Sequence, residues 1–106
     1  MPGLRRTIVF KQKAGHPSFA MATPAVTQKF QQYIDAGKVT SAPTTRVTDG
    51  DITTMTNVQT WTNASDQTEF QTWFNENWLI AANEYYSAYR RSSGIAQPQI
   101  ITDEEI

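Results

Sequence analysis

The chain has 106 residues, no cysteine and a formal net charge of -1, with 18% of its residues charged. This length has room for one domain with a modest core, so we expect a single domain over residues 1–106, with flexible ends at 1–3 and 103–106. Without cysteine a disulfide scaffold and a thiolate metal site are excluded, and the near-neutral charge disfavours binding to nucleic acid or to an anionic membrane.

Leu4 to Lys13 is predicted to form the first strand, because its centre is rich in β-branched and aromatic residues and Ala14-Gly15 ends it. Its apolar run, Ile8-Val9-Phe10, is too short for a signal-peptide core or a membrane span. We therefore expect a cytoplasmic location.

The following loop, residues 14–22, is unusually apolar. Phe19 and Met21 are expected either to plug the core or to form the rim of a ligand pocket. His16 is the only histidine, and no acidic residue or cysteine lies near it in the sequence. A surface position is therefore expected for His16 rather than a catalytic role.

A first helix is predicted to begin at Thr23-Pro24, where a capping hydroxyl precedes a proline at the first helical position. Its apolar stripe contains Phe30 and Tyr33, and Gly37 is expected to close it. Tyr33 is a further candidate for lining a ligand pocket.

Val39 to Thr48 is predicted as a second strand in which Pro43 marks an edge or a bulge. Asp49-Gly50 predicts a hairpin turn, and Ile52 to Thr62 follows as the third strand. Alternation along this strand places Met55, Asn57, Gln59 and Trp61 on one face and Ile52, Thr54, Thr56, Val58 and Thr60 on the other.

The longest predicted element is a helix from Ser65 to Arg91, with Ser65 and Asp66 as capping residues and Gly94 as its stop. Aromatic residues recur along it at helical spacing, whereas Gln67 and Gln71 are assigned to its polar face. Pro98 then introduces a short last strand, Gln99 to Thr102, which pairs within the chain or with a partner.

This order predicts an α+β fold of the ferredoxin-like split β-α-β type, with a four-stranded antiparallel sheet and both helices on one face. The other sheet face then needs a cover. Two copies packed face to face would supply it, so we expect a homodimer.

The stretch Asn57-Val58-Gln59-Thr60-Trp61-Thr62-Asn63-Ala64-Ser65, followed by Phe70 and Trp73, resembles the signature of the antibiotic-biosynthesis-monooxygenase-like dimeric α+β barrels. The resemblance implies a dimeric barrel. In some quinone-forming members an asparagine and a tryptophan four positions apart on this strand hold a phenolic substrate, a spacing that Asn57 and Trp61 match. The haem-degrading branch needs a histidine on the second helix, and none lies between Ser65 and Arg91.

Two functions remain open. The first is a dimeric binding or assembly module without catalysis, of the kind found among accessory proteins of phages and microbes. The second is a cofactor-independent monooxygenase that uses Asn57 and Trp61 on a small phenolic ligand, with Phe19, Met21 and Tyr33 as further pocket residues. Neither needs a metal or a cofactor. In the module, Trp61 packs in the core and Asn57 hydrogen-bonds neighbouring backbone.

Overall fold

The computed structural model describes residues 2–16 and 23–106. Within these ranges the elements, in chain order, are β1 (Leu4–Lys13), α1 (Pro24–Asp35), β2 (Val39–Ser41), β3 (Thr45–Asp49), β4 (Ile52–Trp61), α2 (Ala64–Ser93) and β5 (Gln99–Glu105). The predicted bounds of β1 are confirmed. The α+β class is also confirmed, with an antiparallel sheet and two helices in an arrangement consistent with the ferredoxin-like fold.

The sheet has the order β2-β4-β1-β5, and β3 pairs with the same edge of β4 as β2 does. The prediction of a single strand from Val39 to Thr48 was therefore wrong, because a β-bulge divides this segment into β2 and β3. Val39 pairs with Trp61, and Thr45 pairs with Thr56. From the first pair to the second, the chain advances six residues along the edge strand but only five along β4, so the register slips by one residue between β2 and β3. Pro43 lies in this gap, where its missing amide costs no ladder hydrogen bond.

The hairpin between β3 and β4 differs by one position from its prediction. Asp49 pairs with Ile52, which leaves Gly50 and Asp51 as the two loop residues. Gly50 has φ +63°, and no described residue other than glycine has a positive φ. A single positive φ at the first loop position is the pattern of a type II′ turn, for which glycine is the favoured residue.

Helix α1 begins as predicted, because the side chain of Thr23 accepts a hydrogen bond from the Val26 amide at 3.3 Å. Helix α2 is slightly longer than predicted, and its N-cap is Asn63 rather than Ser65 or Asp66. Gly94 ends α2 with φ +73°, which confirms the predicted stop. At about 1.5 Å per residue α2 is roughly 45 Å long, so it spans the whole length of β1.

Strand β5 continues to Glu105, three residues beyond its predicted end. The acidic end is held by β1: Arg6 donates to both carboxylate oxygens of Asp103 at 2.8 and 2.9 Å, and Arg5 donates to Glu104 at 2.9 Å. The amide and carbonyl of Ile106 also bond to Gly3, each at 3.2 Å. Cross-strand ion pairs thus extend the pairing of β5 with β1 beyond residues 99–102, the range that the sequence predicted for this strand.

The two helices pack on the sheet face that carries Leu4, Arg6, Ile8 and Phe10. The core lies at the end of this face nearest the start of α2. Trp61 is fully buried there, and it contacts the rings of Phe30, Tyr33 and Phe70 at centroid distances of 5.6 to 6.1 Å. Edge-to-face and tilted ring pairs of this kind join both helices to the sheet.

Candidate functional site

Asn57 and Trp61 lie on the same face of β4, as their spacing predicted, and this is the face that the helices cover. Each points to a structural partner. The Asn57 amide nitrogen donates to Ser41 Oγ at 3.1 Å and to the Ala42 carbonyl at 3.0 Å, which are the residues that lead into the bulge. Its two donor hydrogens thus have acceptors in the edge strand, and its contacts pin the bulge to β4.

Trp61 has no exposed surface, and its Nε1 donates to Gln59 Oε1 at 3.2 Å. The two residues are four apart on a strand, which separates them by roughly 13 Å. The structure therefore places the Asn57 side chain against the edge strand and Trp61 inside the aromatic core, and neither residue lines the cavity between α2 and the sheet.

Tyr33, a predicted pocket residue, belongs to the same aromatic core and is 5% exposed. Its hydroxyl donates to the Glu69 carboxylate at 2.6 Å. Burial and this hydrogen bond raise the pKa of Tyr33 to about 12, because both favour the neutral phenol. The side chain joins α1 to α2. Phe19 and Met21, the other predicted pocket residues, lie outside the described residues.

A cavity lined by described residues lies between α2 and the sheet and has a volume of about 280 Å³. Its sheet wall includes Ile8 and Phe10 of β1 with Ile101 of β5, and its helix wall includes Phe74 and Ala82. It runs toward β5, whereas α1 covers the β2 side of the same sheet face. No sequence pattern indicated this cavity, because its lining residues come from five elements, β1, α1, β4, α2 and β5, which are spread along the chain.

One end of the cavity carries a polar network centred on Arg6. Besides its bonds to Asp103, the Arg6 guanidinium donates a hydrogen bond to the Gln71 side-chain oxygen at 3.0 Å. It also donates to Gln67, whose amide is oriented so that the oxygen accepts at 2.7 and 3.2 Å. Arg6 holds the pKa of Asp103 below its usual value, mainly through the hydrogen bond. The ion pair leaves this end formally neutral.

The predicted division of α2 into an apolar and a polar face is wrong at Gln67. It was placed on the polar face, but it is 6% exposed and lines the cavity together with Gln71. Its helical phase matches Phe74, seven residues later, so the spacing already contained the signal. A polar side chain is buried here because Arg6 supplies its hydrogen-bond partner.

The far end of α2 carries two tyrosines one turn apart, Tyr85 and Tyr89, with ring centroids 6.2 Å apart. Burial raises the pKa of Tyr85, and Tyr89 adds to the effect. The Tyr89 hydroxyl accepts from the Lys13 amide at 3.3 Å, and its ring contacts His16 at 6.1 Å. His16 is therefore a packing residue at the end of β1.

Between Phe74 and Ala82 on the same helical stripe lies Trp78. Its Nε1 is shielded from solvent, and no described residue accepts its hydrogen bond. A buried donor without an acceptor costs free energy.

Residues 2–16 and 23–106 contain no group of three or more histidine or acidic residues placed to hold a metal ion. None of the described helices has the length and apolar character needed to cross a membrane.

Comparison of the chain with protein-family models, with curated proteins and with solved structures gives no match.

Proposed function

We propose that this protein is a self-associating binding module that forms a homodimer through the sheet face opposite its helices. This open face consists of the side chains that alternate away from the core. Its members are Arg5, Thr7, Val9, Lys11 and Lys13 of β1, Ile52, Thr54, Thr56, Val58 and Thr60 of β4, Thr40, Thr45, Val47 and Asp49 of β2 and β3, and Ile100, Thr102 and Glu104 of β5.

The observation that carries the proposal is that none of these side chains is buried. Val9 and Val58 lie on the two central strands and remain partly exposed, and Val47 and Ile100 are 68% and 38% exposed. No described helix covers this face. A sheet with β-branched residues on both sides is typical of one that packs against a second sheet.

The size of the open face suits a dimer. Two strands of ten residues, flanked by the seven residues of β5 and by the bulged edge at 39–49, cover roughly 600 Å². This is at the lower end of what each partner buries in a specific interface, about 600 to 1,000 Å². The face is therefore large enough for a specific dimer without a further contact.

Charge on the open face favours a second copy over a strongly charged partner. Arg5, Lys11 and Lys13 are offset by Asp49 and Glu104, and the central side chains are threonines and valines. A face of nearly balanced charge can meet itself without strong repulsion. Nucleic acid would need a basic surface, which this face lacks.

The geometry around Asn57 and Trp61 favours this module over the cofactor-independent monooxygenase. The oxygenase mechanism requires both side chains to offer donors to one substrate. The donors of Asn57 already bond to Ser41 and Ala42, and the donor of Trp61 bonds to Gln59.

Val9→Lys tests the dimer, because it places a charge without a partner at the centre of the open face. Sedimentation equilibrium should show a dimer for the natural chain at micromolar concentration and a monomer for the variant. Val47→Lys, at a site that is already 68% exposed in the single chain, should weaken the dimer without a folding defect.

The matched control is Ile80→Lys, which makes a similar change at a position on α2 that is 77% exposed. It should leave the dimer intact. A natural chain that sediments as a monomer throughout the micromolar range, or a Val47→Lys variant that dimerises as well as the natural chain, would overturn the proposal.

A further inference from the structure

We propose that the outer edge of β5 is a docking site for an extended, basic segment of another protein, which adds to the sheet as a further strand. β5 lies at one end of the strand order, so it pairs with β1 on one side, and no described strand pairs with its other side. This edge is distinct from the open face through which the proposed homodimer forms. Its occupancy can therefore be measured whether or not the chain dimerises.

The hydrogen bonds to β1 determine which backbone groups of β5 remain free. At one end of the ladder the Lys11 amide donates to the Pro98 carbonyl at 2.8 Å, and at the other end Gly3 and Ile106 bond to each other in both directions at 3.2 Å. In an antiparallel pair the bonded residues alternate along each strand. The even-numbered residues of β5 therefore bond to β1, whereas the amides and carbonyls of its odd-numbered residues point outward.

The two edges of the sheet differ in how open they are to a new strand. The β2-β3 edge is interrupted at 42–44 by the bulge and by Pro43, which prevent continuous pairing. β5 keeps a regular register with β1 over all seven residues, contains no proline and is exposed from Ile100 to Glu105. Its outward backbone groups, from residues 99 to 105, therefore form a continuous template of roughly 20 Å for strand addition.

The side chains of β5 select a basic partner. Asp103, Glu104 and Glu105 are consecutive, and only the first two pair with arginines of β1, Arg6 and Arg5. Glu105 makes no ion pair with a described residue. Three carboxylates thus face two guanidinium groups, and the excess negative charge lies beside the free edge. Residues directly opposite on neighbouring strands interact, so lysine or arginine opposite these acids would stabilise an added strand and a carboxylate would destabilise it.

A second copy of β5 fits this edge less well. Aligned antiparallel about Thr102, the centre of the strand, it would place Ile100 and Ile101 of each copy opposite carboxylates of the other. A parallel alignment in register would place each acid beside its own counterpart, which is destabilising. A strand with basic residues opposite the acids and a β-branched residue opposite Ile101 avoids both mismatches, and β1 has this pattern on the inner side of β5.

Titration of the ¹⁵N-labelled full chain with the peptide acetyl-Lys-Arg-Lys-Thr-Val-Thr-Thr-amide, followed in ¹H–¹⁵N NMR spectra, tests the site. Aligned antiparallel to β5, this peptide places its three basic residues opposite the three acids and its valine opposite Ile101. We expect saturable shifts along β5. Hydrogen exchange should slow at least about tenfold at the outward amides of Ile101, Asp103 and Glu105, while the β5 amides that bond to β1 should change little.

Two control peptides separate strand addition from attraction between charges. In the first, glutamates replace the three basic residues, and binding should weaken at least about tenfold because carboxylates then oppose carboxylates. In the second, proline replaces the valine, which removes an amide that would bond to the β5 edge but keeps the charge. This peptide should also bind at least about tenfold more weakly.

Ile101→Pro and Ile101→Thr form a matched pair of variants. Proline at this position removes one outward amide without breaking a hydrogen bond to β1, and an edge strand accommodates it in this orientation. Ile101→Pro should therefore lose at least about tenfold in affinity for the basic peptide, whereas Ile101→Thr keeps the amide and should bind as the natural chain does. Glu105→Pro, compared with Glu105→Gln, makes the same test at the last residue of β5 if Ile101→Pro unfolds the chain.

Three results would overturn the proposal. The first is the absence of saturable shifts with the basic peptide, and the second is unchanged affinity for either control peptide or in a folded Ile101→Pro variant. The third is slow exchange at the outward amides that grows with the concentration of the chain alone, which would assign the edge to a second copy. Val47→Lys should bind the basic peptide as the natural chain does, so a failure here is distinct from a failure of the homodimer.

Discussion

Tyr33 shows how one side chain can serve the core and the surface together. Its ring packs edge-to-face on Trp61 and Phe70, at 5.6 and 5.7 Å, while its hydroxyl donates to Glu69 on α2. Lys29 and Lys38 lie over the same ring at 5.9 and 5.6 Å. A residue held in this way is a structural element of the core, and it also lines a surface pocket together with Lys29, Lys38 and Glu69.

Tyr33→Phe should lower the free energy of unfolding by about 1 kcal/mol at neutral pH, because it removes one hydrogen bond while the ring stays packed. The phenol pKa is raised from 10.0 to about 12 by folding, so its contribution is fully present below pH 10 and is lost between pH 10 and 12. Urea unfolding of both proteins across this window should show a steeper loss for the natural chain.

Glu69→Gln provides the control for that comparison, because it keeps an acceptor for Tyr33 but removes the charge. It should cost less stability than Tyr33→Phe. Parallel loss of stability in the natural chain and in Tyr33→Phe above pH 10 would contradict the assigned role of the phenol.

At the scale of elements, the β-bulge explains how a proline is accommodated at the edge of the sheet. The edge strand gains one residue at 42–44, and Asn57 on β4 holds the extra residue through Ser41 and Ala42. This bulge disrupts the outer edge and so protects it against pairing with another chain. Asn57 therefore has a role in the edge strand that needs no substrate.

Asn57→Ala should lower the free energy of unfolding by about 1 to 2 kcal/mol, since two hydrogen bonds to the edge strand are lost. A substrate-binding asparagine would be replaceable with little loss of stability. The matched control is Asn77→Ala on the exposed side of α2, which should stay within about 0.5 kcal/mol of the natural chain. Equal unfolding midpoints for Asn57→Ala and the natural chain would contradict this role.

The whole molecule is asymmetric across its sheet. One face carries both helices and the fully buried Trp61, and the other has no buried side chain among the residues that the structure describes. A sheet that is covered on one side alone leaves the β-branched residues of the open face in contact with water. The proposed homodimer removes that contact and connects folding to association.

The melting temperature should therefore depend on protein concentration. If unfolding includes dissociation, a tenfold increase in concentration should raise it by roughly 3 to 6 °C. In Val9→Lys the melting temperature should not change with concentration, and Ile80→Lys should behave as the natural chain does. Differential scanning calorimetry at several concentrations measures this directly, and a concentration-independent value for the natural chain would contradict it.

Local signals in the sequence determined much of the fold. The limits of β1, the Thr23-Pro24 start of α1, the Gly94 stop of α2 and the two faces of β4 all follow from residues within a few positions of one another. Such features depend on capping, alternation and backbone conformation, which act over short stretches of chain. For the candidate site, the same alternation correctly placed Asn57 and Trp61 on one face.

Only the tertiary structure decided what those side chains contact. Whether Asn57 meets a bulge or a substrate depends on the edge strand, and whether Gln67 is exposed or buried depends on Arg6, sixty-one positions earlier in the chain. The cavity likewise exists because β1, β4 and β5 converge with both helices. Burial and hydrogen-bond partners arise from contacts between distant segments, and no periodicity within one segment contains that information.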